Sequence, residues 1–453
     1  MSSINAAGWA RLIDRTRAAG QELHSLIVTH RGQTIIRAFG QPWGAEHQQL
    51  LYSLSKTFTS AAVGLVVDDG LVGFDTRIVD IFPDQAGDGV GPKMAGLRVR
   101  DALAMASGHT SETYDWFADR NQRRPTRASI GQYLRLEPDG TPGVTFAYNQ
   151  MNTWLCSRVV AEVSGLDVLE LLRQRVFDPI GIGPATWGRD GDGLPLGFSG
   201  LHLRPDDVAR FIALVAAGGV HQRQQLLGQE WLDNFSHAWV ETLDPAGEQT
   251  GDWSLGYGWQ VWRGQHGFRG DGAFGQYGII VPDHDLQVVV TGETDDIQTL
   301  LSALWEDVLP GLGEGSDTEG DSAALEQRLA GLGRPAGAPG AVLSWQGTWV
   351  DQPARLDVEG DRARFVFHDD AGEHALAVGL GEWRESVVRW GADLLTVATC
   401  LEQGPDGQQL VVCVVNSPHT FTLDLGSHRA DLAWRLQPLH GPDPRGLAQA
   451  FGD

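Results

Sequence analysis

The feature that most limits what this chain can fold into is a break in pattern near residue 310. Residues 310–322 read PGLGEGSDTEGDS, almost all glycine, serine and acid. Such a composition keeps a chain solvated instead of packing it. Before the break, helical and strand periodicities are mixed. After it come a short helical run, 323–332, the segment GRPAGAPGA, and then only short strand-like runs. These are AVLSW, GTWV, ARLDVEG, RARFVFH, LLTVATC, QLVVCVV and TFTLDL. The chain therefore reads as a first domain over 1–309, a linker with a short helix over 310–340, and a small β-barrel or β-sandwich over 341–453 that folds on its own.

Within the first domain, residues 5–20 place Trp9, Leu12 and Ile13 on one side of a helix. SLIVTH, the pair Arg31-Gly32 and QTIIRAF predict a β-hairpin. Residues 53–67 are helical in pattern and stop near Gly70. Strands are predicted over 256–262, 275–281 and 286–291, the last two joined by the turn PDHD, with a helix over 295–308. The hairpin and the late strands are expected to share one antiparallel sheet flanked by helices, with the middle of the chain as a helical insertion. That is an α+β fold.

Lys plus Arg total 34 against 58 Asp plus Glu, a formal charge of −24. Nucleic acid and anionic lipid are poor partners for such a field. No run of 18 apolar residues is present, and MSSINAAGWARLIDRTRAAG carries Arg and Asp where an export signal carries an apolar run. The expectation is a cytoplasmic protein that does not span a membrane. Nothing in the pattern sets an oligomeric state. Cys156, Cys400 and Cys413 are odd in number and lack C-x-x-C spacing. They read as small buried apolar side chains rather than a disulfide or zinc framework.

Only two lysines, Lys56 and Lys93, stand against 32 arginines. Arg cannot give up its proton inside a protein, whereas a desolvated lysine can. Ser53-Leu54-Ser55-Lys56 opens an apolar helix, and residues three apart share a helix face. A serine there lies near the positive end of the helix dipole, with an amine in reach to accept its proton. Alone, the pattern also fits a capping serine beside a solvated lysine. Tyr148 stands between the turn-rich Asp139-Gly140-Thr141-Pro142-Gly143 and a helix. It is either a cleft-facing acid or base, or a core aromatic. In Gly270-Asp271-Gly272-Ala273-Phe274-Gly275-Gln276 the glycines mark either a close approach of a ligand or backbone, or a bulge.

Taken together these segments resemble the serine β-lactamase and penicillin-recognising hydrolase family, on its class C and esterase side. The matching residues are Tyr52-Ser53-Leu54-Ser55-Lys56-Thr57-Phe58-Thr59-Ser60, Leu97-Arg98-Val99-Arg100-Asp101-Ala102-Leu103 and Ala106-Ser107-Gly108-His109. Pro142-Gly143 with Phe146-Ala147-Tyr148-Asn149, Gly200-Leu201 with Asp206-Asp207-Val208-Ala209, and Gly256-Tyr257-Gly258-Trp259 also fit, within roughly residues 20–305. The resemblance implies Ser53 as nucleophile, Lys56 and Tyr148 as the acid/base pair, and an oxyanion hole from the backbone N–H groups of Ser53 and Ala273. It implies no metal and no cofactor. Gln150, Gly270, Asp271 and Gly272 fall on motif positions that face substrate, and Tyr114 and Trp116 are candidate pocket residues.

Two positions depart from the family pattern. Gln150 stands where the second motif commonly ends in Asn, and Gly270 where the third begins with Lys or His. Arg269 and His266 are the nearby cations. The expected function is a serine hydrolase acting through an acyl-enzyme on small ester or amide substrates. The alternatives are a β-lactamase or D-amino-acid peptidase, and a catalytically silent binding module of the same fold.

Overall fold

The protein is described by a computed structural model covering residues 4–114, 129–242, 251–369, 372–390, 393–404, 407–439, 441–444 and 447. Its first unit is built on a six-stranded sheet. The strands are β1 (Glu22–His30), β2 (Gln33–Phe39), β3 (Trp262–Arg263), β4 (Phe268–Gly272), β5 (Gln276–Val281) and β6 (Leu286–Glu293). Their spatial order is β2-β1-β6-β5-β4-β3, every neighbouring pair antiparallel. The N-terminal hairpin thus meets the late strands as expected, and Val28 faces Val288 across the β1–β6 ladder. Arg31 and Gly32 both hold positive φ (50° and 72°). Two left-handed residues in a two-residue turn match the right-handed twist of the strands they join.

Alternation along β1 sends side chains to two cores. Leu26 and Val28 pack with Trp9, Leu12 and Ile13 of α1 (Ala6–Ala18), while Ile27 packs on the opposite face with Phe58 and Val63. That face is covered by α2 (Ser55–Asp68), in which every residue from Ser55 to Val66 is buried, and by α3 (Gln150–Ser164) beside it. A helix apolar on all sides is stable only when enclosed. The helix expected over 295–308 is α4 (Gln298–Ala303), continued by a wider turn over Leu304–Val308. α5 (Glu319–Ala330) lies against α1, and Asp317 just before it accepts hydrogen bonds from Ile4 N and Ala6 N at 2.8 and 2.7 Å.

The strand expected over 256–262 is confined to its end. Gly256 and Gln260 hold φ of 103° and 65°, so the chain bends twice, and only Trp262–Arg263 joins the sheet. Gln260 turns inward, accepting from Thr153 Oγ1 at 2.6 Å and donating to Leu103 O at 2.8 Å. Its alternating aromatics were core residues of a loop and not one face of a strand.

The C-terminal unit is all β: β7 (Trp345–Trp349), β8 (Gln352–Glu359), β9 (Arg362–Asp369), β10 (Gly372–Leu380), β11 (Arg384–Trp390), β12 (Asp393–Gly404), β13 (Gly407–Val414), β14 (Thr420–Leu425) and β15 (Ala430–Trp434). They form one sheet in the order β7-β8-β9-β10-β12-β13-β14-β15, with β11 paired to β12. Thr348 N donates to His428 O at 3.0 Å, which joins the two ends of the sheet into a barrel around Leu356, Phe365, Leu395, Val412 and Phe421.

The two units share a buried seam. Val411, Cys413 and Val415 point out of the barrel and pack with Trp43, whose ring stacks on His24 at 3.3 Å. Val412 and Val414 point into the barrel. Burial on both faces explains why QLVVCVV is apolar without alternation. Leu50 N donates to Asn416 O at 2.9 Å, and Gln49 Nε2 to Val415 O at 2.5 Å. All three cysteines are free and buried. Among the described residues no helix is long and apolar enough to cross a membrane.

Candidate active site

Ser53 sits in a single 3-10 turn, Tyr52–Leu54, directly ahead of α2. Lys56, one turn on, is fully buried, and its Nζ lies 2.8 Å from Ser53 Oγ and 3.0 Å from Phe198 O. Burial strips water from the ammonium and brings its pKa down from 10.5 to about 7, against the opposing pull of Glu112 and Asp271. Lys93 has a different place. It donates to Pro138 O and Asp139 O at 2.8 and 2.9 Å and ties down a loop. Ser55 faces away from the cleft, its Oγ accepting from Leu201 N at 3.1 Å.

Tyr148 is placed by the start of α3. The side chain of Asn149 caps that helix, accepting from Met151 N at 3.1 Å, so Tyr148 is the last residue before a fixed point. Its ring stacks on Trp262 (5.5 Å between centroids, 19° between planes), and Lys56 Nζ stands 4.8 Å from the ring centre. Ser53 pulls the Tyr148 phenol pKa down, against the larger effect of burial. Burial, with the nearby Asp271 carboxylate, pushes the phenol far above its ordinary pKa. The group is therefore a phenol at any working pH. Ser53, Lys56 and Tyr148 thus converge as the sequence reading expects.

β4 ends beside the Tyr52–Leu54 turn. A Cβ at Gly270 would run into the Thr57 hydroxyl and Leu54, and one at Gly272 into Leu51 O. The two glycines let the strand lie flat against the segment that carries Ser53, with Ala273 next in line. The space a third-motif cation would enter is filled by Thr57 and Leu54. Neither neighbouring cation replaces it. Arg269 is 1% exposed, its guanidinium 4.3 Å over the Trp253 ring and bonded to Asp271. His266 packs against Trp305. Asp271 itself accepts from Trp253 Nε1 and Arg269 Nε, both at 3.1 Å.

Gln150 is the first residue of α3, and its backbone N–H donates to the Glu112 carboxylate at 3.0 Å. Tyr114 N donates to the same carboxylate at 2.7 Å, and the Tyr114 ring meets Phe198 edge-on at 4.9 Å. Tyr114 thereby adjoins the group that holds Lys56. Trp116 lies outside the described residues. Sequence reasoning missed Glu112, the half-buried acid whose charge acts on Lys56, and the Phe198 carbonyl. Glu112 carries no motif, and a backbone carbonyl leaves no trace in side-chain pattern. Among the described residues no group of three His, Cys, Asp or Glu side chains is placed to hold a metal ion.

A sequence model of the Beta-lactamase family matches residues 10–299. The chain belongs to this family. Two curated relatives are similar to parts of it. Esterase/beta-lactamase LipL of Mycobacterium tuberculosis is 24% identical over 184 residues, 40% of each chain. 6-Aminohexanoate-dimer hydrolase of Paenarthrobacter ureafaciens is 23% identical over 222 residues, 46% of this chain and 56% of the relative. The chain thus spans about half the length of the curated relatives it matches. The octameric penicillin-binding protein homologue from Pyrococcus abyssi superposes on 93% of this chain and 98% of its own, with a TM-score of 0.51 at 14% identity. That likeness extends the shared fold into the C-terminal barrel of this beta-lactamase family member.

Proposed function

We propose that the protein is a serine hydrolase that works through an acyl-enzyme on small, uncharged esters or amides. The observation that carries this reading is the buried Lys56 amine, 2.8 Å from the Ser53 hydroxyl with a pKa brought down to about 7. An amine of that pKa is half deprotonated at neutral pH and can accept a hydroxyl proton. A silent binding module has no use for a lysine desolvated at this cost.

Ser53 Oγ attacks the substrate carbonyl carbon while its proton passes to Lys56. The carbonyl oxygen becomes an oxyanion held by the N–H groups of Ser53 and Ala273. The intermediate collapses, the bond to the leaving group breaks, and Tyr148 gives its phenolic proton to the departing oxygen or nitrogen. The Lys56 ammonium restores that proton. Water then attacks the acyl carbon by the same route in reverse, freeing the acid and returning the proton to Ser53. Gln150, with its free amide oxygen buried in the site, and the Tyr114 ring border the acyl group in this reading.

The substrate class rests on charge. Gly270 leaves no cation at the third motif, and Arg269 is already paired with Asp271. A β-lactam or D-alanyl peptide would bring its own carboxylate to this wall without a partner. The test of the whole reading is covalent labelling by a fluorophosphonate. Ser53→Ala should abolish labelling and ester turnover with little change in melting temperature, whereas Ser55→Ala should keep both. Labelling that persists in Ser53→Ala moves the nucleophile elsewhere and ends this mechanism.

A further inference from the structure

Tyr52 and Phe274 stand next in sequence to Ser53 and Ala273, the two residues assigned to the oxyanion hole. Both hold positive φ, 47° and 65°. Aromatic residues rarely adopt this left-handed conformation, and it persists only where the surroundings over-determine it. Here one side chain from the C-terminal barrel meets both. The turn between β13 and β14, Val415 to His419, enters the seam behind the site. His419 Nε2 lies 2.6 Å from the Tyr52 hydroxyl, and the His419 ring packs edge-on against Phe274 with centroids 4.5 Å apart. Tyr52 and Phe274 are themselves 5.2 Å apart, closing a triangle.

The Leu436 carbonyl fixes one of the histidine's protons. His419 Nδ1 is 3.0 Å from Leu436 O, and a carbonyl can only accept. Nδ1 therefore carries a proton, and in the neutral imidazole Nε2 accepts from the Tyr52 O–H. Tyr52 is 1% exposed and His419 0%, so water cannot take over either role. The turn is itself braced. Ser417 N and Oγ both donate to Val414 O (2.9 and 3.2 Å), and Ser417 Oγ accepts from His419 N at 3.2 Å. Beneath it the buried Glu293 carboxylate accepts from Leu436 N at 3.2 Å.

We propose that His419 is a positioning residue that sets the oxyanion hole. It acts through Tyr52 on the Ser53 N–H, so that the catalytic unit is complete only with the barrel in place. It touches no reacting atom. The proposal rests on the acyl-enzyme reading above. Because the oxyanion exists only in and around the transition state, disturbing its donors lowers kcat and leaves KM in place.

Two substitutions separate the two ends of the imidazole. His419→Gln puts an amide oxygen near the position of Nε2 and can still accept from Tyr52. His419→Asn keeps a donor near Nδ1 for Leu436 O and offers Tyr52 nothing. Loss of one oxyanion donor costs about 10²–10³-fold in kcat; displacing donors that remain present should cost less, about 10–100-fold. The full-length chain is assayed on p-nitrophenyl butyrate, with the rate of fluorophosphonate labelling as a second readout. His419→Asn is expected to lose that factor in kcat and in labelling rate at nearly constant KM, and His419→Gln to keep most of both. Tyr52→Phe, which deletes one oxygen, should match His419→Asn, and the double variant should be no worse than either single one.

Wild-type kcat in His419→Asn, equal losses in the Asn and Gln variants, or a loss confined to KM would each overturn the proposal. Should His419→Asn fail to fold by circular dichroism, Tyr52→Phe decides alone, and an unchanged kcat there refutes it. Ser53→Ala is measured alongside. If it retains turnover, the acyl-enzyme reading falls and takes this proposal with it. If it is inactive while His419→Asn is not, only the role of His419 falls.

Discussion

Replacing Lys56 by Arg keeps a positive side chain and removes a base. The drop in the Lys56 pKa from 10.5 to about 7 means that near pH 8 roughly nine lysines in ten are neutral in the folded protein. A guanidinium, with a pKa above about 12, is neutral in fewer than one molecule in ~10⁴ at that pH. The Ser53 proton then has no acceptor 2.8 Å away, and the expected loss in kcat/KM is about 10²–10⁴-fold, the range that general-base help supplies. The assay is kcat/KM on p-nitrophenyl butyrate from pH 5.5 to 9.5. The wild-type profile should rise by one proton with a midpoint near 7, and the rise should vanish in Lys56→Arg. A second reading comes from stability. The folded pKa lies below the unfolded one, so between about 7 and 10.5 the unfolded chain holds a proton that the native state has released, and stability rises with pH. Lys56→Met relieves a cost on the order of 5 kcal/mol below pH 7 and progressively less above it. It should therefore raise the melting temperature more at pH 6 than at pH 9. A Lys56→Arg enzyme of near-normal rate that keeps the rising limb would refute the assignment of Lys56 as base.

Two further outcomes follow from the charge distribution. Turnover of p-nitrophenyl butyrate should exceed that of nitrocefin when each kcat/KM is divided by the compound's own uncatalysed hydrolysis rate; a missing charged hydrogen bond to carboxylate is worth about 1.5–3 kcal/mol, and a tenfold preference for nitrocefin would rule out the neutral-substrate reading. At the seam, burial pushes the Glu293 carboxyl up to about 8, with Arg435 pulling it back and Glu22 adding to the push. From about pH 4.5 to 8 the native state holds a proton that the unfolded chain has lost, so stability falls as pH rises through that window, by at most about 1.4 kcal/mol per pH unit. Glu293→Gln should flatten that slope in urea titrations, and parallel profiles would show that Glu293 does not set it.

The sheet was legible because its strands obey local rules. Arg31-Gly32 suits a two-residue turn, and β1, β5 and β6 are short apolar runs bounded by turn residues. The cluster of Ser53, Lys56 and Tyr148 was legible because the chemistry proposed for it needs particular side chains at particular spacing. Four features escaped for stated physical reasons. GYGWQVW looks like a strand because aromatics alternate in it, yet positive φ at Gly256 and Gln260 bends it into a loop behind Tyr148. β11, RESVVRW, is thin in apolar residues because one of its faces is barrel surface, with Val387 67% exposed. Glu112 acts through burial and distance, neither of which is written locally. His419 lies in the second unit, 367 residues from the Tyr52 hydroxyl it accepts from, and no window of sequence contains both.

The same reasoning separates the roles of two groups that motif matching leaves interchangeable. Lys56 is buried and Tyr148 partly buried, and desolvation disfavours the charged form of each. For an amine the charged form is the protonated one, so burial creates a base. For a phenol the charged form is the deprotonated one, so the same burial preserves an acid. Glu112 and Asp271 push both groups toward holding their protons, which opposes desolvation at Lys56 and reinforces it at Tyr148. The net result is a pair whose proton affinities are drawn apart, with the lower one beside the nucleophile. In the proposed mechanism the proton leaving Ser53 passes to Lys56, 2.8 Å away. In the same mechanism Tyr148, a phenol at neutral pH, is the donor to the leaving group. Desolvation, acting on opposite charge types and modulated by Glu112 and Asp271, draws the proposed base and acid apart in this site.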